Sequence, residues 1–170
     1  FIFKIYNTGI TGLDADLINA GKQAVTLLPG GAYFHHADSF AMMRGGHIDI
    51  CVLGAFQVSI NGDIANWHTG KPDAIPAVGG AMDLVAAADN IIVAMMHSNK
   101  KGVSKILSEC TLPLTGVKCV KKIVTDIAVL EIKDEKFHLL ERAPGVSVEE
   151  IISKTEGELI VPDEVPEMIV

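Results

Sequence analysis

Apolar residues in this chain fall in short clusters rich in β-branched side chains. AVTLL (24–28), DICVL (49–53), NIIVAMM (90–96) and TDIAVLEI (125–132) are bounded by Gly, Pro, Asn or Asp. Runs of this kind read as strands buried on both faces, as in a parallel sheet. FIFKIY (1–6) also has the composition of a strand. Between the runs, ADSFAMMR (37–44) and AMDLVAAAD (81–89) combine helical spacing with good helix formers. The recurring order strand, helix, strand predicts an α/β layered fold in a single domain over residues 1–170.

From residue 129 the texture changes. VLEIKDEKFHLLER is two alternating runs around a charged turn, which predicts a β-hairpin. PGVSVEEIISKTEG predicts a capped helix, with Ser147 as N-cap, Glu150 three positions on and Gly157 after the last turn.

With 170 residues the chain can bury one ordinary core. Its hydrophobic content of 49% and mean hydropathy of +0.35 are high for a lone soluble chain and imply apolar surface covered by a second one. No apolar run approaches the roughly 18 residues of a membrane span. Residues 1–130 hold ten acids and ten bases, and residues 131–170 hold eleven acids and four bases, so the net charge of −7 is confined to the end of the chain. That distribution leaves no basic face for nucleic acid and is consistent with a solvated acidic edge. Cys51, Cys110 and Cys119 are odd in number and lack CxxC spacing, which points to a reducing, cytoplasmic compartment. The chain opens at Phe1 with no signal-peptide pattern, as a fragment would.

The stretch GGAYFHHADSFAMMRGGHIDICVLG (30–54) raises the question of chemistry. His35 and His36 are adjacent and would point opposite ways on an extended segment, and His47 follows with no ligand at suitable spacing, so no metal site is expected. Asp38 reads as a helix cap, and His47 and Asp49 as the polar entrance to a strand. Gly45-Gly46 reads as a helix stop. Gly79-Gly80 stands after a Pro-containing loop and directly before a helix, where bare amides could seat an anionic oxygen or merely allow close packing. Lys22, after a possible short helix in DADLINAGKQ, reads equally as a surface lysine. GxGxxG, GxxxxGK[ST] and GxSxG patterns are all absent from the sequence.

Taken in order, DADLINAGKQAVTLLPG, FAMMRGGHID, LGAFQV, DIANW, GGAMDL, CTLPLTG and TDIAVLE resemble the B (beta) subunit of the class I 3-oxoacid CoA-transferases over roughly residues 14–160. FHHADSF and HTGKPDAIPAVGG are more similar to the 3-oxoadipate enzymes than to the acetoacetate enzymes. The resemblance implies an open, mostly parallel sheet with flanking helices and a partner A subunit in a hetero-oligomer. It also implies transfer of CoA from succinyl-CoA to a 3-oxoacid, with the CoA thioester as substrate and no tightly bound cofactor. In the family a glutamate attacks the acyl thioester and then carries CoA itself, a task that needs a carboxylate able to serve as nucleophile and leaving group. By that likeness Gly79 and Gly80 face the thioester oxygen, with Ala81 and Met82 adjoining. Lys22 is carried over as a CoA-binding cation, Gln57 and Asn66 as polar contacts, and His35 and His36 as selectors of a dicarboxylic acid.

One departure is plain. The family nucleophile lies in a Ser-Glu-Asn-Gly motif ahead of the lysine segment, and its position falls here on Asn7, with Gly9 at the motif's glycine. Asparagine cannot act as this nucleophile, and Glu109 is the sole glutamate before residue 131. The usual N-terminal βα unit is also missing, so an altered or shortened terminus is expected, with a non-catalytic CoA-binding or structural subunit as the alternative.

Overall fold

The computed structural model describes residues 3–5, 16–19, 22–74 and 79–169. Two compact units divide the chain, Phe1–Ser39 and Phe40–Val170. In the first, β1 (Phe3–Ile5) pairs antiparallel with β2 (Val25–Leu27). AVTLL therefore does supply a strand, but in a two-stranded antiparallel sheet instead of the parallel one. The short helix expected before Lys22 is not found in the described part, residues 16–19. There Ile18 bridges Ala24 antiparallel, and the Val25 amide donates to the Leu17 carbonyl at 2.9 Å. The Asn19 carboxamide oxygen accepts the Gln23 amide at 3.0 Å, a local side-chain bond that competes with helix.

Helix α1 (His36–Arg44) crosses the boundary between the units. Its first amides are met by His35, whose Nδ1 accepts from Ala37 N at 3.2 Å and whose carbonyl accepts from Asp38 N at 3.0 Å. Asp38, expected as the cap, lies inside the first turn, where its charge suits the helix polarity. The glycine pair ends the helix as the sequence predicts. His47 N reaches Met42 O at 3.0 Å and Gly46 N reaches Met43 O at 3.1 Å, with Gly46 at φ +74.

The second unit is built on a six-stranded sheet. Its strands are β3 (Cys51–Leu53), β6 (Ile91–Ala94), β8 (Val120–Val124), β9 (Ala128–Lys133), β10 (Lys136–Arg142) and β11 (Leu159–Ile160). They lie in the order β11-β10-β9-β8-β6-β3. β3, β6 and β8 are mutually parallel, β8, β9 and β10 antiparallel, and β11 parallel to β10. A smaller sheet, β5-β4-β7, is formed by β4 (Gln57–Ser59), β5 (Ile64–Ala65) and β7 (Ile106–Leu107). Helices α2 (Ala81–Ala87) and α3 (Val148–Lys154) also belong to the unit.

Strand register sorts the side chains. Leu53, Val93, Ile123, Leu130 and Leu139 form one cross-strand row. Against that face pack Val58, Ile64 and Ile106 of the small sheet and Ile151 of α3, in one continuous core. The opposite row runs Val52, Ile92, Lys122, Glu131, His138, Ile160. There Val52 is 62% exposed and Ile50, just before β3, 55%. Among the described residues, burial on both faces, expected from the apolar runs, is thus nearly complete for one face and partial for the other, where Ile92, Lys122, Glu131 and His138 are half-buried. An apolar run records that both faces are hydrophobic, not that this chain covers both.

The hairpin and the capped helix appear where the sequence puts them. Asp134 and Glu135 join β9 to β10 with φ of 53 and 57, the signs of a type I′ turn. Ser147 Oγ accepts the Glu150 amide at 3.1 Å at the start of α3. Gly157 is not the left-handed stop expected of it, since α3 ends at extended Thr155. A Cβ at Gly157 would run into the Phe137 ring and lie 2.7 Å from Ile60 Cγ2, so this glycine serves close packing.

Candidate functional site

The double glycine opens α2 by two different devices. Gly79 has φ +54 with open space around its Cα, while Gly80 is the N-cap at φ −76 and ψ −6, without a side-chain cap. A Cβ on Gly80 would collide with the Phe40 ring, meeting Cε1 at 2.7 Å. Arg44 stands by, its Nε donating to Asp83 Oδ1 at 3.0 Å and its guanidinium 6.0 Å from the Phe40 ring centre. The end of α1 therefore fixes the start of α2. Gly80 O accepts the Leu84 amide at 3.2 Å, whereas the amides of Gly79, Gly80 and Ala81 find no acceptor among the described residues. Such amides form the positive end of a helix and suit an oxygen carrying negative charge. Ala81 is half-buried and Met82 is 57% exposed beside them.

Gln57 and Asn66 both engage the segment 111–116. Gln57 Oε1 accepts the Thr111 and Leu112 amides, each at 2.9 Å, and its Nε2 donates to Thr111 Oγ1 at 2.8 Å. Asn66 Oδ1 accepts from Thr115 Oγ1 at 2.6 Å, and its Nδ2 donates to Gly54 O at 3.1 Å. Trp67 adds an indole bond to Leu114 O at 3.2 Å. At the end of the segment, a Cβ on Gly116 would lie 2.8 Å from Val85 Cγ2 of α2. These two amides thus hold a loop whose last residue packs against the helix of the double glycine. Each keeps one N–H hydrogen beyond these bonds.

The remaining candidates belong to the first unit. Lys22 is exposed at φ +63, its amide donating to Asn19 O at 3.0 Å, and its ammonium has no ion-pair partner among the described residues. The rings of His35 and His36 lie 4.6 Å apart at 32°. They stand side by side instead of pointing opposite ways, because the chain turns into α1 at His36. Asn7 and Gly9 fall outside the described residues.

Titration in the second unit is governed by burial. It raises the Cys51 thiol, lifts Cys110 to about 12 with help from Asp63 and Glu109, and lifts Cys119 to about 11. All three are free thiols and poor nucleophiles in this setting. Burial also lowers Lys105, against the opposing pull of Asp126, and brings His97 down to about 4. The His97 cluster escaped the sequence reading, and only its place just past an apolar strand could have signalled it. Two open clefts of about 260 and 270 Å³ flank β8, lined in part by Lys118 and Lys133 in one and by Ile92 and Lys122 in the other; neither includes the double glycine. Among the described residues no group of three His, Cys, Asp or Glu converges as metal ligands would.

A family model for coenzyme A transferase matches residues 10–154. The chain is 56% identical over 147 residues to the B (beta) subunit of the 3-oxoadipate CoA-transferase of Acinetobacter baylyi, covering 86% of this chain and 68% of that protein. It is 61% identical over 138 residues to the corresponding protein of Pseudomonas putida, covering 81% and 65%. The chain thus spans about two thirds of the length of these relatives. Among solved structures, an acyl-CoA transferase from Escherichia coli O157:H7 superposes with a TM-score of 0.71 at 22% identity, over 89% of this chain and 33% of that one, a likeness of fold.

Proposed function

Because this chain belongs to the coenzyme A transferase family, we propose that it is the B-type part of an enzyme that moves CoA from succinyl-CoA to a 3-oxoacid, with 3-oxoadipate the favoured acceptor. The observation that carries this reading is identity above one half to the B-type chains of 3-oxoadipate enzymes across more than four fifths of the chain. A companion A subunit, a hetero-oligomeric assembly and a cytoplasmic location belong to the same proposal. Among the described residues no helix is long and apolar enough to cross a membrane.

In the proposed site, the amides of Gly79 and Gly80 donate toward the thioester oxygen as its negative charge grows, with Ala81 and Met82 adjoining. The lack of an acceptor for these amides among the described residues supports that role. The Lys22 ammonium is proposed to attract a phosphate or carbonyl oxygen of CoA. The spare N–H hydrogens of Gln57 and Asn66 are available to the CoA arm, while their other bonds hold segment 111–116. His35 and His36 favour an acceptor with a second carboxylate.

The covalent step requires a carboxylate, and Asn7 stands where the family motif has one. That residue motivates a second reading, a chain that binds CoA or supports assembly without forming the glutamyl thioester. Incubation with an A subunit and succinyl-CoA, followed by borohydride, separates the two. A reduced enzyme thioester supports transfer; CoA binding by calorimetry without trapping supports the second reading; absence of both removes the CoA proposal.

A further inference from the structure

At the carboxyl ends of β6 and β8 the imidazole of His97 is 1% exposed, and each ring nitrogen meets a threonine hydroxyl. Nδ1 is 3.1 Å from Thr125 Oγ1, and Nε2 is 2.9 Å from Thr155 Oγ1 at the end of α3. A hydroxyl has one hydrogen to give and two lone pairs to accept with. Thr125 Oγ1 accepts the amides of Ile127 at 3.2 Å and Ala128 at 2.9 Å, which fills both lone pairs. Its hydrogen is the group left for His97. Ala128 O, also within reach of that hydrogen at 3.0 Å, is satisfied by the Thr125 amide at 2.8 Å without it, whereas Nδ1 of His97 has no other donor among the described residues. Thr155 is the reverse case, for its hydroxyl donates to Ile151 O at 2.8 Å and can only accept from the ring. A single arrangement satisfies every group: Nδ1 accepts, and Nε2 carries the hydrogen.

We propose that His97 is a neutral, single-tautomer staple that fastens the C-terminal end of α3 to the central sheet, and that protonating it frees α3. A hydrogen added at Nδ1 would point at a Thr125 oxygen whose lone pairs are both occupied. The charged groups around the ring come from three neighbouring segments. Asp126 in the β8–β9 turn accepts the His97 amide at 2.7 Å and favours the charged ring. Lys154 of α3, paired with Glu150 at 2.6 Å, opposes it. Lys105, whose amide donates to His97 O at 3.0 Å, completes the set. Burial outweighs all of them and keeps the ring neutral down to about pH 4.

The test uses the full chain. Nitrogen NMR of the His97 ring at pH 7 is expected to show hydrogen on Nε2 alone, and hydrogen exchange is followed at the amides of α3 and of β9–β10. As His97 takes up its proton, exchange in α3 is expected to rise about tenfold or more before that in β9–β10. At pH 7, Thr155→Val is expected to give the same selective rise and Thr155→Ser to reverse it. An Nδ1–H or doubly protonated ring at pH 7 would overturn the proposal, as would α3 exchange that stays constant through the His97 titration. Should Thr155→Val not fold, the titration of the unaltered chain alone decides.

Discussion

Gly79 and Gly80 are both glycine, yet for unlike reasons that mutation separates. Gly79→Ala adds a Cβ in open space but at φ +54, and is expected to cost about 1 kcal/mol. Gly80→Ala drives a Cβ into the Phe40 ring and is expected to cost about 1–3 kcal/mol, with Phe40→Leu recovering part of the loss in the double variant. Urea denaturation of the four variants, Phe40→Leu alone included, checks both numbers; additive losses would show that Phe40 does not confine Gly80. His97 gives a residue-scale prediction in pH. Its folded value near 4 lies below the ordinary 6.5, so the unfolded chain takes the proton first. The stabilisation is complete above pH 6.5 and is lost as pH falls toward 4, by up to about 3 kcal/mol. His97→Gln should flatten that slope in denaturation midpoints measured from pH 7 to 4. At this scale the motif positions were legible in the sequence, but their contacts were not. GGAMDL placed the glycines before a helix, while Phe40, forty positions away, and the threonines around His97 come together only through tertiary packing.

Among the elements, the hairpin and α3 were readable because their signals are local: alternation around DE for one, and Ser147 with Glu150 for the other. The β4–β5 hairpin was missed, although INGD at residues 60–63 carries the turn chemistry; Gly62 sits there at φ +82. Its strands are two and three residues long, too short for a period to register. Placing β2 in the parallel sheet failed for another reason: composition marks a strand but does not choose its neighbour. Two predictions belong here. Glu135 occupies left-handed backbone that glutamate does not favour, whereas Asp134 suits its position, so replacing the pair by Asn-Gly should stabilise the chain by about 0.5–1 kcal/mol and raise the melting temperature. Gln57→Leu removes the acceptor shared by the Thr111 and Leu112 amides and should cost about 1 kcal/mol, seen as faster hydrogen exchange at those two amides with β9 and β10 unchanged.

At the scale of the molecule, the excess hydrophobicity noted in the sequence has a location. Part of it lies at the edge strand β3 of the second unit's sheet, where Val52 and, just before the strand, Ile50 are exposed. Open edges and apolar faces of this kind favour association. Val52→Lys should therefore leave folding stability within about 0.5 kcal/mol of the parent, while lowering any concentration-dependent self-association seen by ultracentrifugation; an unchanged association profile would show that this face takes no part. The strand order carries a last consequence for synthesis in the cell. β8 lies between β6, made earlier, and β9, made later, and Leu130, Phe137, Leu139 and Ile151 all follow β8 in the sequence. Until those residues leave the ribosome, Val93 and Ile123 have no completed core to enter, so the nascent polypeptide is expected to carry bare apolar strands over that interval.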